Sequence, residues 1–350
     1  MNSTLRTKLL GGVAAVSLIT LVGAQDASAQ TAKPGSFSMF VQGGYDFGGS
    51  STNDLVFAEG IRLDRNNTAG VIGASQPVGS GTGSHPFTVS PNHGLSGRVG
   101  GAYQINDRWS IRGSYTGLRA SKRGNSGALK TQNGNAGVFT VLGNGTTDTG
   151  SVTSSFAATV KTRIRADVVD LQAGYDVGLG GTVNATVLGG IRFGEFNQNT
   201  DVTLLQSNLT TPQAFQHRSS TFFGVGPTLG AQVTAPIGGG FGVEGGVLGG
   251  LLRGHQTTKT DGQFANDGDP LQQQRFKDDH WAETANAEAA LTFILPVGSG
   301  AVQIAAGYEA MWFLGVRDTR NGISVTNSTF GSHHDDLFFH GPFVRVGGTF

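Results

Sequence analysis

The sequence predicts an all-β protein, a transmembrane antiparallel up-and-down β-barrel of about ten strands. Three observations carry that reading. Stretches of roughly ten residues alternate apolar and polar side chains with a period of two, the spacing of a strand with two different faces. The connections between these stretches alternate between short and long. The composition is glycine-rich and charge-poor, with 57 glycines in 350 residues and only 14% charged residues. Few charges without any long apolar helix suit a wall whose outer face meets lipid and whose inner face is polar.

The strands follow in order. Over 37–47, Phe37, Met39, Val41, Tyr45 and Phe47 share one face, while Ser38, Gln42, Gly44 and Asp46 share the other; Phe40 breaks the pattern. Over 95–105, Leu95, Val99, Tyr103 and Ile105 oppose Ser96, Arg98 and Gln104. Asn106-Asp107 turns the chain into Trp109, Ile111 and Tyr115, set against Ser110, Arg112 and Ser114. Val169, Leu171, Tyr175 and Val177 oppose Asp170, Gln172 and Asp176. Val183, Val187, Ile191 and Phe193 oppose Asn184, Thr186 and Arg192. Phe223, Val225, Leu229 and Val233 oppose Thr228 and Gln232, and Phe241, Val243, Val247 and Leu251 oppose Glu244. Ala285, Ala289, Leu291 and Leu295 oppose Asn286, Glu288 and Thr292. Val302, Ile304, Tyr308 and Trp312 oppose Gln303 and Glu309, and Val344, Val346 and Phe350 oppose Arg345 and Thr349. Two further strands, if hidden within 48–93 or 120–157, would raise the count to twelve, and a phase break near 166–169 reads as a bulge.

Short turns fall at 106–107, 178–181, 236–240 and 296–300. Five long polar segments, about 48–93, 120–157, 195–218, 254–280 and 315–335, read as extracellular loops. Closure follows from solvation. Lipid cannot satisfy backbone N–H and C=O groups, so an open sheet edge costs several kcal/mol per group. A secreted β-sandwich is the competing architecture, but its strands are typically only about 5–6 residues long. Aromatic residues near strand ends, among them Tyr103, Trp109, Trp281 and Trp312, read as interfacial girdles.

Residues 1–29 read as a signal peptide: Arg6 and Lys8, an apolar stretch from Leu9 to Gly23, then Ala27-Ser28-Ala29 as a cleavage site. Residues 30–350 then form the barrel, in the outer membrane of a Gram-negative bacterium. Charge and cysteine content exclude several classes. The formal charge is zero, with no basic footprint for nucleic acid. The absence of cysteine excludes thiolate chemistry, disulfides and Cys-ligated metals.

The chain ends Gly347-Gly348-Thr349-Phe350. A terminal Phe on an alternating strand resembles the signal by which the barrel assembly machinery recognises outer-membrane proteins. Further segments are Asp170–Asp176, Gly189–Glu195, Gly224-Val225-Gly226-Pro227, Gly307–Trp312 and Phe338–Phe343. Their order and spacing resemble the pore-forming outer-membrane family typified by the Legionella major outer-membrane protein. The resemblance covers roughly 160–350 closely, and the first half through general barrel pattern. It implies a porin-like or adhesin-like barrel, an oligomer being compatible with either.

The inward faces supply the candidate functional residues: Asp46, Asp170, Asp176, Glu244, Glu288 and Glu309, with Arg98, Arg112, Arg192 and Arg345. Such charges either form a selective constriction or pair and fill a narrow barrel. The leading expectation is a non-enzymatic passive pore for small hydrophilic solutes, without cofactor or metal, its partners being outer-membrane lipid, lipopolysaccharide and the assembly machinery. A closed barrel displaying its loops for adhesion is the alternative. A rim hydrolase using His333, His334, Asp335 and Asp336 is a third reading. His85, His93, His217, His255 and His280 read as solvated loop residues, and Gly79–Ser84 as a flexible loop lacking the Gly-Lys-Ser/Thr ending of a phosphate loop.

Overall fold

In a computed structural model, residues 34–50, 93–129, 137–143, 146–152, 156–178, 183–206, 212–264, 272–318 and 334–350 are described. The expected signal segment and the Gly79–Ser84 loop lie outside them. Among the described residues there are twelve strands: β1 (Phe37–Ser50), β2 (Gly94–Gln104), β3 (Trp109–Leu129), β4 (Gly137–Gly143), β5 (Thr146–Val152), β6 (Phe156–Gly178), β7 (Asn184–Gln206), β8 (Pro212–Gly238), β9 (Phe241–Phe264), β10 (Gln272–Val297), β11 (Gly300–Asp318) and β12 (His334–Thr349). Ten close into a barrel, in the order β1-β12-β11-β10-β9-β8-β7-β6-β3-β2, every pairing antiparallel. The expected wall of ten strands is what closes; among the described residues the two further strands stand outside it, β4 pairing with β5.

The seam is made by the first and last strands, β1 and β12. Phe37 and Phe350 exchange both backbone hydrogen bonds, at 3.1 and 2.8 Å. The β8–β9 turn runs through Gly238, Gly239 and Gly240, all at positive φ, which glycine adopts without the Cβ clash other residues meet.

The outer wall is apolar over a defined band. Val41, Leu95, Ile111, Leu171, Ile191, Leu229, Val247, Leu291 and Val344 are all exposed. On β1 the band runs from Phe37 to Phe47, ten residue steps or roughly 33 Å along the strand at about 3.3 Å each. Tilted by about 40°, that spans the roughly 25 Å apolar height of a barrel in the outer membrane. Trp109 and Tyr175 pack edge to face at 4.9 Å near the end with the short turns, as an aromatic belt requires.

The strands are much longer than the roughly ten-residue crossing segments; β8 has 27 residues and β10 has 26. The expected loops at 195–218 and 254–280 are mostly strand, continuing β7, β8, β9 and β10. Beyond the lipid the pattern inverts. On β6, the inward residues change from Gln172 and Asp170 to Val168, Ala166 and Ile164, all buried, while the outward ones change from Leu171 to Arg165, Arg163 and Lys161. Register is unbroken here, Val168 facing Gly194 and Asp167 facing Glu195. The phase break at 166–169 is therefore no bulge. It marks where the outside of the wall leaves lipid and enters water.

Candidate functional site

All ten charged candidates point into the lumen. The alternation places them there, because each shares strand parity with polar residues of the inner face. Seven of them form two connected groups, and Asp46, Arg112 and Asp176 lie outside these.

The larger group centres on Arg98 of β2. Its guanidinium reaches Glu288 of β10 at 2.8 Å and Glu309 of β11 at 3.0 Å, and its Nε donates to Thr116 at 3.1 Å. Glu309 also accepts from Gln42 at 3.0 Å and Ser96 at 3.2 Å. Arg345 of β12 pairs with Glu244 and, at 3.2 Å, with Glu288. Its guanidinium lies 5.6 Å from the centres of both the Phe40 and Phe343 rings. Phe40, the exception to alternation on β1, is thus an inward ring stacked on a lumen cation, a favourable cation–π arrangement. Asp46 is fully buried on the same inner face.

The second group is Arg192 with Asp170. The guanidinium grips the carboxylate with two bonds, at 2.7 and 3.0 Å, and donates to Thr284 at 2.8 Å and Asn286 at 2.9 Å. Only 2% of Arg192 is exposed. Nearer the short turns, Arg112 donates to Gln232 at 2.6 Å, and Asp176 accepts from Thr186 and, at 3.4 Å, from Gln104. These charges are chords across the barrel, tying β2 to β10 and β11, β7 to β10, and β3 to β8.

Below and around them lies a cavity of about 380 Å³. Its lining starts at Ser38, Gln104, Asn184 and Thr349 near the short-turn end and finishes at Val168, Met311 and Phe313. Above that point the lumen is filled by inward apolar residues. Leu118, Ala166, Phe196, Phe222, Leu252, Met311, Phe313 and Phe339 form one buried cluster. The rings of Phe196 and Phe313 lie 4.8 Å apart and those of Phe196 and Phe222 6.2 Å apart. Phe222 lies flat over its neighbouring strands because Gly224 and Gly254 carry no side chain; a Cβ on Gly254 would come within 2.2 Å of the ring. Above this apolar layer come polar inward groups: Gln256 donating to Ser220 at 2.9 Å, and Arg317 to Gln198 at 2.6 Å.

The apolar layer was not legible as a site, since its residues fall where alternation switches phase. The expectation for histidines is corrected in part. His217, His255 and His280 sit on strands, not loops. His217 meets Asp201 and His255 meets Asp279, both at 2.6 Å, while the largely buried His280 contacts the Gly315 carbonyl at 2.8 Å and packs 5.0 Å from Phe222. His93 stacks on Tyr45 at 6.4 Å. Of the proposed rim cluster, His333 lies outside the described residues. Asp336 accepts the Gly315 N–H at 2.9 Å, holding the left-handed glycine of the irregularity between Phe313 and Arg317. Among the described residues, no group of three or more His, Asp or Glu could hold a metal ion.

No curated protein matches the chain. Among solved structures it is similar to the outer membrane protease OmpT of Escherichia coli, at 9% identity over 91% of this chain and 97% of that one, with a TM-score of 0.43. It is also similar to the outer membrane protein OprG of Pseudomonas aeruginosa, at 12% identity over 91% and 97%, with a TM-score of 0.24. Residues 56–349 match the family described as Legionella pneumophila major outer membrane protein precursor, well into the half where the sequence pattern alone was general. This outer-membrane β-barrel belongs to the Legionella major outer membrane protein family.

Proposed function

We propose that the barrel is a low-conductance pore for small hydrophilic solutes, with the apolar layer of Phe196, Phe222 and Phe313 as its barrier. The observation that carries this is the lumen's two-part build: a polar cavity of about 380 Å³ lined by both charge signs, ending at an apolar ceiling. Hydrophobic constrictions block ions by staying dry and pass them when they wet. Arg98, Arg192, Glu288 and Glu309 would then act on solutes below that ceiling, giving weak selectivity because the signs are balanced. The His217–Asp201 and His255–Asp279 pairs have no part in this reading.

The complete burial of Phe222 and Leu252 favours a second reading, a permanently closed barrel with an adhesive or structural role. One experiment separates the two. Single-channel conductance of refolded protein in a planar bilayer is compared with Phe222→Ser and Phe313→Ser. A pore gives small steps in the native barrel and larger or more frequent ones in both variants. Silence in all three, with gel mobility that shifts on heating and so reports a folded barrel, rejects the pore and leaves the closed barrel.

A further inference from the structure

The outward face of β3 and β6, just above the apolar band, carries an unusual arrangement of charge. Arg119 faces Arg165 directly across the strand pair, and Arg123 faces Lys161; Arg163 lies between, opposite Ser121. All five cations are exposed. Like charges directly opposed on one sheet face destabilise it, so their grouping needs a compensating partner. Three carboxylates lie among or beside them. Asp167 accepts from Arg119 at 2.8 Å, Arg165 at 2.5 Å and the Tyr115 hydroxyl at 2.6 Å, Asp201 pairs with Arg163 at 3.3 Å, and Glu195 of β7 stands directly opposite Asp167. Five cations against three anions leaves a positive surface.

Its height matters. Tyr115 and Val169 are the last apolar pair below the cations on the outward face, and Arg119 and Arg165 stand four residues further on, about 13 Å along the strand. Leu95 stands directly opposite Arg119, and beneath them the wall is apolar and smooth: Leu95, Val99 and Leu171 are exposed, and Gly97, Gly113 and Gly117 project no side chain between them. A ligand matching this surface has phosphates at the level of the guanidinium groups and acyl chains running down the wall. Guanidinium forks suit phosphate oxygens by geometry as well as charge.

We infer that the outward face of β3 and β6 is a binding site for the phosphorylated glycolipid of the outer leaflet, with Arg119, Arg123, Lys161, Arg163 and Arg165 holding its phosphates and Leu95, Val99 and Leu171 its acyl chains. This site is independent of whether the lumen conducts.

The test uses the refolded full barrel in detergent, with diphosphorylated lipid A and the same lipid stripped of phosphate. Lipid retained through gel filtration is quantified. The native protein retains the phosphorylated lipid, loses it in high salt, and retains the stripped lipid at least tenfold less well. The R123E/K161E/R163E variant loses retention at least tenfold while keeping heat-shifted gel mobility. If that variant does not fold, the milder Arg163→Gln weakens retention several-fold. Equal retention of the two lipids, or retention unmoved in a folded variant, overturns the proposal. Binding of a soluble polyanion such as dextran sulfate without any binding of lipid A also overturns it, because the face would then serve a water-borne partner.

Discussion

Arg98 of β2 and Glu288 of β10 meet at 2.8 Å across the lumen, although four inter-strand steps around the wall separate their strands. The side chains are only 15% and 19% exposed. The pair works as a strut across the barrel. Removing one partner of a buried pair leaves an uncompensated charge, which costs about 3–5 kcal/mol. Arg98→Gln leaves buried Glu309 without its cation, while Glu288 keeps Arg345, and is expected to lower stability by about 3 kcal/mol in guanidinium unfolding of the refolded barrel. The R98E/E288R swap is expected to recover only part of this, because Glu309 then faces a second carboxylate.

Arg192 gives a sharper version of the argument. Four donated bonds fix its planar head between Asp170, Thr284 and Asn286. A lysine keeps the charge but has no fork for bidentate contact. Arg192→Lys is expected to cost about 2 kcal/mol and Arg192→Gln about 3 kcal/mol. Denaturant midpoints measured side by side check the order; a lysine variant as stable as the native protein contradicts it.

The apolar layer responds differently to truncation and to overpacking. Phe222→Ala is expected to cost about 3–5 kcal/mol, the usual range for removing a buried aromatic ring. Gly254→Ala adds a methyl where the Phe222 ring and the Phe223 carbonyl already stand, so a cost of about 1–3 kcal/mol follows. On the pore reading, the alanine at 222 raises conductance and the alanine at 254 does not. Thermal melts and bilayer recordings on the same preparations test both halves.

Phe350 is exposed to lipid beside Phe37, to which its backbone is bonded. Deleting Phe350 removes the final bonds of the seam and the terminal aromatic at once. The expected result in cells is a several-fold drop in folded protein in the outer membrane. In detergent the truncated chain still refolds, with a modest loss of stability. Equal cellular levels would falsify the assembly role of this residue.

Much of the barrel was legible because lipid imposes a simple rule on strands: apolar out, polar in. That rule places Asp170 and Arg192 on the inner face without any structure. It fails above the membrane, where water lies outside and the interior is dry. There Val168, Ala166 and Ile164 point inward with the same period but the opposite phase, and Arg163 and Arg165 point outward. Read locally, such a switch looks like a defect, and the polar outer residues of β8 to β10 look like loops. The Phe222 layer was missed for the same reason. Phe40 was missed because a single inward ring is explained only by the Arg345 guanidinium, from a strand more than 300 residues away in sequence.

The struts across the lumen also constrain how the barrel can be made. Arg98 finds its partners 190 and 211 residues later in the chain, so no local hairpin neutralises it. Asp170 and Arg192 can pair within the β6–β7 hairpin, but until the sheet curls Arg98 and Glu309 stay unmatched on its inner face. A flat sheet entering hydrocarbon would carry those charges into a medium that solvates none of them. Insertion and curvature must therefore advance together, with water kept on the concave side until β12 meets β1.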